Sequence, residues 1–451
     1  MRLSPSALTQ LPQDVTRFGY DRDAQSIGIV HFGIGAFHRA HQAWYTDLAM
    51  DAGDRGWAIS GVSLRSAAVA DQLNPQHGLY TLTERSGENA ATRVIAAVRE
   101  VLVAARDRDA IIARVASPDC HIVSFTVTEK GYARSGAGTL DLSLAQKSFY
   151  PLLSEALERR RGAGLPGVTL LCCDNLPDNG RTLEQLMAQW TAARAPDLDE
   201  WIAQHCTFPS SMVDRIVPRS TGEDRTWLAE RLGVEDDGAI FTERFSQWVI
   251  EDRFAGPRPA WEQHGAQLVS DVAPYETAKL RMLNGAHSFL AYCGLQRGHA
   301  YVHEAMADAE LGAMARSLML EEAAPTVDAA PDQDLNGYAA ELLERFRDPA
   351  LRHRLDQIAM DGTQKIPQRW LDTIAWHASR GSDAPAIRQA FAAWLWHLHD
   401  GRFVDDPMGD ELQALVRKGG AEAVLDRCFG CDGMRSALWQ DHGKLRSWFE
   451  T

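Results

Sequence analysis

Between Tyr275 and Ser288 the chain reads Tyr275-Glu276-Thr277-Ala278-Lys279-Leu280-Arg281-Met282-Leu283-Asn284-Gly285-Ala286-His287-Ser288. An acid, an amine, an amide and an imidazole stand in one short helical window. At about 100° per residue, Glu276, Lys279, Asn284 and His287 fall within an arc of roughly 140°. Leu280 and Leu283 share that arc, so the face is expected to enter an interior. Burial disfavours an ammonium and draws its pKa toward that of a general base. The pattern is that of a proton-transfer site. His287 alone reads as a core histidine, and Glu276 alone as a first-turn acid favoured by the helix dipole; the shared arc gives them weight.

Such a site needs elements to hold it. The run Ser26-Ile27-Gly28-Ile29-Val30-His31-Phe32 reads as a buried strand, and a helical segment follows through residues 40–50. Further strands are expected at 57–62, 121–128 and 168–173, with helices at 109–116 and 151–161, the latter carrying proline at its first position. Strands alternating with helices predict an α/β fold: a Rossmann-like doubly wound parallel sheet over residues 1–270. Segments 275–295, 306–322, 335–347, 386–399 and 411–428 carry helical periodicity, so residues 271–451 are expected to form a mostly α-helical domain. The lysine helix opens that domain, at a boundary of the kind active sites favour.

Gly33-Ile34-Gly35-Ala36-Phe37-His38 matches the dinucleotide fingerprint except at its last position, where His38 replaces the third glycine. The first two glycines permit a tight turn and close approach of pyrophosphate to the backbone. The acid expected after the second strand is missing: Ser63-Leu64-Arg65-Ser66-Ala67-Ala68 offers no carboxylate before Asp71. Arg65 and the two serines are compatible with a 2′-phosphate, which leaves the choice between NAD and NADP open. Asp174-Asn175-Leu176-Pro177-Asp178-Asn179-Gly180 follows a strand, where doubly wound sheets bind ligands; it is equally a turn rich in turn-forming residues.

The chain has 451 residues, too many for one core, with 45% apolar and 24% charged residues. Its formal charge of −15 argues against a nucleic-acid surface. An anionic substrate would have to meet locally placed cations. The sequence holds no apolar run of membrane-spanning length and its start lacks a secretory h-region, so a cytoplasmic protein is expected. Seven scattered cysteines fit reduced core thiols. Cys428 and Cys431 form a CxxC without the second pair a zinc site needs, and no dense ligand spacing argues for a metal elsewhere.

Taken in order, Gly33 to Gln42, Thr126 to Tyr132, Asp174 to Gly180, Ser211 to Ile216, Gln247 to Asp252 and Lys279 to Gly285 resemble the polyol-specific long-chain dehydrogenases, the group of mannitol 2-dehydrogenase and fructuronate reductase. The resemblance runs from about Ile27 to Arg369. It implies zinc-independent, nicotinamide-dependent interconversion of a secondary alcohol and a ketone in open-chain sugars or sugar acids, with NAD as default. It implies Lys279 as catalytic base, Asn175 and Asn284 as the amides holding the reacting oxygen, and His287 as an orienting residue. Asp214 matches a polar residue of the same site, and Glu276 and Glu129 are candidates for a proton path. It implies a monomer or small homo-oligomer.

Thr128-Glu129-Lys130-Gly131-Tyr132 and the stretch from Leu351 through Lys365 to Arg369 look more like fructuronate reductase than mannitol dehydrogenase. Arg281 and Lys365 would serve a uronate carboxylate, although Arg281 lies roughly 60° outside the helical arc. Hexuronate is therefore favoured over a polyol, with D-mannitol 2- or D-arabinitol 4-dehydrogenase as the alternative. A non-catalytic nucleotide sensor is disfavoured because Lys279, Asn175 and Asn284 are all present.

Overall fold

The computed structural model describes residues 1–135, 138–400, 404–430, 439 and 444–446. The chain divides into two compact units, Met1–Val272 and Ala273–Thr451.

In the first unit β1 (Ile27–Phe32) is almost wholly buried, as a run apolar but for His31 leads one to expect of a central parallel strand. It pairs in parallel with β2 (Ala58–Ser63) on one side. Strands β3 (Tyr80–Ser86) and β4 (Asn89–Ile95) form a hairpin before the chain returns as β5 (Val98–Val103) at the sheet edge. The chain then crosses to the other side of β1 with β6 (Ile122–Phe125) and β7 (Thr169–Cys172). The order is β5-β2-β1-β6-β7, all parallel. Its direction reverses between β1 and β6, the switch point at which such sheets bind ligands.

The expected Rossmann-like fold is present, with additions. β8 (Ser211–Asp214), β10 (Gln247–Glu251) and β11 (Gln267–Val269) form a second, mixed sheet, and β9 (Ile240–Glu243) joins the β3–β4 hairpin. Two expected elements differ. The helix after β1 breaks at His41 (φ −120°, ψ −95°) into Ala36–Ala40 and Gln42–Ala52. The strand expected to reach Thr128 stops at Phe125, because the Val127 and Thr128 amides turn to the Asp174 carboxylate.

The second unit is helical. Its centre is the helix Gly285–Gln296, buried continuously from Gly285 to Gly294, with Pro385–His399 packed along it. A helix apolar all round must lie inside. Helices expected at 306–322 and 411–428 are interrupted: the first region contains Val302–Ala307 and Ala309–Ser317, then a π turn, and Gly409–Phe429 kinks at Gly420. No helix among the described residues is long and apolar enough to cross a membrane. Cys428 is a buried thiol, and Cys431 lies outside the described residues.

Candidate active site

Gly33 has φ +96°, and a Cβ there would stand 2.1 Å from the Thr126 carbonyl oxygen. Only glycine fits that turn. Gly35 differs: its φ is ordinary, and a Cβ would meet nothing nearer than the Gly33 oxygen at 3.7 Å. The space over Gly35 is the opening that a pyrophosphate pressed to the backbone requires, so the turn fits a dinucleotide. Ile34 is buried and Ala36 and Phe37 are half-buried. Arg65 is exposed just past β2, beside a tight turn in which Ser63 Oγ donates to the Ser66 oxygen at 2.5 Å.

Beneath the turn the His38 ring stacks on His31, with centroids 3.5 Å apart. The imidazole pair fills the place where a third glycine would let helix and strand approach. His31 Nδ1 lies 2.8 Å from Ser124 Oγ and Nε2 2.8 Å from Thr126 Oγ1, while Ser124 Oγ donates to Gln42 Oε1 at 2.7 Å. Burial holds the His31 pKa down to about 3, so the ring is neutral and has one N–H. Thr126 Oγ1 in turn donates to the Gly33 carbonyl at 2.8 Å. Sequence reading missed this network; His31 and Ser124 within apolar strands, and Thr126 just past one, are its only trace.

At the end of β7 the Asp174 carboxylate accepts from Val127 N at 2.8 Å, Thr128 N at 3.0 Å and Tyr132 Oη at 2.7 Å. Asn179 Nδ2 donates to the Asp174 and Ser211 oxygens, and Ser211 N donates to Asn179 Oδ1. Two polar residues of the motif are thus spent on joining three strand ends. Asn175 between them is exposed. Asp214 is buried at the end of β8, in register with Gln247. The Glu129 side chain lies outside the described part of the structure.

In the second unit the lysine helix is not the uniform α-helix assumed in placing its polar face. Ala273–Ala278 is α-helical, Lys279–Asn284 forms a π turn, and Gly285–Gln296 is α-helical again. The Gly285 N–H reaches back to the Leu280 oxygen, an i→i+5 bond. The wider turn replaces the 100° spacing behind the expected arc. Lys279 and Asn284 are its first and last residues, and His287 follows one turn on; all three are buried, and Glu276 is half-buried.

Another π turn, Pro367–Leu371, supports this one. Arg369 Nη1 donates to the Asn284 oxygen at 3.3 Å and Ser288 Oγ at 2.7 Å, and Trp370 Nε1 to the Gly285 oxygen at 3.1 Å. The signal in the sequence was Pro367, which has no N–H to give a regular helix.

Arg281 does not stand ready for a substrate anion. Its Nη1 donates to the Thr326 oxygen at 2.7 Å and its Nη2 lies 3.9 Å from Asp372. The position outside the arc points it at neighbouring helices. Lys365 Nζ donates to the Met360 oxygen at 2.6 Å, and burial, then Arg369, lower its pKa to about 8. His287 stacks on Phe346 at 4.3 Å; burial and then the His353, Arg345 and Arg369 charges hold its pKa well below the usual imidazole range.

Residues 27–263 match the mannitol dehydrogenase Rossmann domain and residues 271–426 the mannitol dehydrogenase C-terminal domain. The chain is 43% identical to an uncharacterized oxidoreductase, YeiQ, of Escherichia coli (strain K12), over 92% of this chain and 89% of that protein. It is 41% identical to D-mannonate oxidoreductase of the same organism, over 89% of this chain and 87% of that protein. Among solved structures, a Pseudomonas fluorescens mannitol 2-dehydrogenase, in a ternary complex with NAD and D-mannitol, has a TM-score of 0.86 and 34% identity, covering 100% of this chain and 96% of that one. Two domain models in register with the two units, and relatives matched nearly end to end, place the chain in the mannitol dehydrogenase family of oxidoreductases.

Proposed function

We propose that this oxidoreductase uses NAD to interconvert a secondary alcohol and a ketone in an open-chain sugar acid, with D-mannonate and D-fructuronate as the pair. The observation that carries the reading is the π turn that buries Lys279 and Asn284 at its two ends, with His287 one turn on. In oxidation the neutral Lys279 amine takes the hydroxyl proton; in reduction the ammonium returns it. Asn284 donates to the oxygen as negative charge develops, an interaction commonly worth about 3 kcal/mol per donor. Asn175 is assigned the second amide by its motif, and Asp214 a substrate hydroxyl. Glu276 and Glu129 are assigned the proton path to water. The 1–270 region is assigned to the dinucleotide and 271–451 to the substrate.

The open approach over Gly35 supports a dinucleotide there, with the Gly33-to-His38 turn holding the pyrophosphate and Arg65 beside the adenosine ribose. When bound, the nicotinamide supplies the hydride acceptor and donor. The relative named D-mannonate oxidoreductase supports the sugar acid. The solved complex with D-mannitol favours a second reading, mannitol 2-dehydrogenase. Initial rates with D-fructuronate and D-fructose, each with NADH and NADPH, decide between them. At least tenfold higher kcat/KM for fructuronate is expected with NADH; a preference for fructose would overturn the assignment.

A further inference from the structure

In a regular α-helix Lys279 and Asn284, five residues apart, would stand roughly 140° from each other around the axis. The i→i+5 bonding of the turn Lys279–Asn284 brings the fifth residue round to the side of the first, as i→i+4 bonding brings the fourth in an α-helix. Lys279 and Asn284 therefore share a side of the helix only while the π turn holds. Such turns are rare in helices, so this one needs support from its neighbours.

That support converges on Gly285, the residue after the turn. A Cβ at Gly285 would stand 3.3 Å from the Arg369 carbonyl oxygen, 3.7 Å from Leu318 and 3.8 Å from Trp370, so the π turns Leu318–Ala323 and Pro367–Leu371 both close on this point. Arg369 makes the tightest of the contacts. Its Nη1 alone donates both to the Asn284 oxygen at 3.3 Å and to Ser288 Oγ at 2.7 Å. Asn284 and Ser288 are buried and one α-turn apart, so a single nitrogen ties the last residue of the π turn to the α-helix beyond it. Arg369 makes no ion pair among the described residues, and burial lowers its pKa only to about 10. It is charged at neutral pH, and a charged donor makes hydrogen bonds roughly twice as strong as a neutral one.

We propose that Arg369 is a positioning residue for the reaction: by tying the Asn284 carbonyl to Ser288 it holds the π turn, and so keeps the Asn284 amide on the Lys279 side of the helix. The proposal rests on the oxidoreductase reading above and adds the residue that sets the geometry of its oxygen-binding amide. Arg369 acts through Asn284. A donor displaced from the reacting oxygen costs most in the transition state, where the charge is greatest, so the effect belongs in kcat. Because one nitrogen makes both contacts, a lysine ammonium can take its place, whereas a methionine has no hydrogen to donate.

Two measurements on Arg369→Met, Arg369→Lys and Ser288→Ala test it: steady-state kinetics with NADH and whichever of D-fructuronate and D-fructose the wild type reduces better, and hydrogen exchange over residues 279–288. In Arg369→Met, kcat is expected to fall at least tenfold while KM and NADH affinity stay within about threefold, with most of the loss restored in Arg369→Lys. Amides of residues 279–288 are expected to exchange at least tenfold faster in Arg369→Met and to regain protection in Arg369→Lys. A merely structural arginine would lower stability and leave the kcat of the folded protein as it was. An unchanged kcat in Arg369→Met, a loss that Arg369→Lys does not restore, or unchanged exchange overturns the proposal. If the wild type reduces neither sugar, the substrate reading falls, and the exchange result alone decides whether Arg369 holds the turn. Should Arg369→Met not fold, Ser288→Ala decides in its place, with kcat expected to fall about threefold at unchanged KM and an unchanged kcat overturning the proposal.

Discussion

Arg281 and Asp174 show how residue type and residue task come apart. Arg281 is a cation beside a suspected base, yet its guanidinium is committed to a carbonyl and an aspartate. Replacing it, as Arg281→Leu, is expected to cost about 1–3 kcal/mol of stability, read by urea denaturation, because a charged hydrogen bond to a buried carbonyl is lost. The fructuronate-to-fructose ratio should not move; a large change in it would return Arg281 to the substrate. Asp174 and Asn179 sit in the motif that also carries Asn175, and both are spent on backbone amides and carbonyls. Within one motif, sequence marks polar residues without saying which are used by the fold. Lys279, Asn284 and His287 were legible as a set because three polar groups on an apolar helix need a reason to be there. The Phe346 ring against His287 was not, since it comes there only when the chain packs.

The two glycines of the nucleotide turn separate at the scale of elements. Gly35→Ala meets no protein atom within 3.7 Å, so stability should stay within about 1 kcal/mol while the added methyl fills the dinucleotide approach. NADH affinity, followed by protein fluorescence, is expected to fall at least tenfold. Gly33→Ala combines a positive φ with a 2.1 Å clash against Thr126 and should cost about 2 kcal/mol or more. Equal effects of the two changes would contradict this division. The strand–glycine–helix sequence was readable because each step has its own local chemistry. The π turn was not, because i→i+5 bonding has no sequence period of its own and is held here by Arg369 and Trp370 from far along the chain. The hairpin β3–β4 escaped for a related reason: its strands mix Thr, Glu and Arg and alternate only weakly.

Over the whole molecule, buried neutral histidines set the acid limit. His31 titrates at about 3 and His38 and His287 well below their ordinary range, in each case first through burial. The unfolded chain binds protons on these rings as pH falls through about 6.5, while the folded chain does not, so stability is present above that pH and declines below it. Each ring contributes up to about 1.4 kcal/mol per pH unit until its folded pKa is reached. His38→Phe keeps the stack on His31 and removes one titration, so its stability relative to the parent should rise between pH 7 and pH 5. No change in that difference would mean that His38 is accessible to protons in the folded state. The division into a sheet unit and a helical unit is the scale at which the sequence spoke most plainly, through the change from alternating strands and helices to helices alone. It says little about the substrate.

Lys279 as the group that moves the proton is the assignment on which the chemistry most depends. Turnover of Lys279→Ala with D-fructuronate and NADH, measured beside NADH binding to the same protein, tests this directly. The expected result is at least a thousandfold loss of kcat with NADH affinity retained. Turnover near that of the parent enzyme would contradict the assignment.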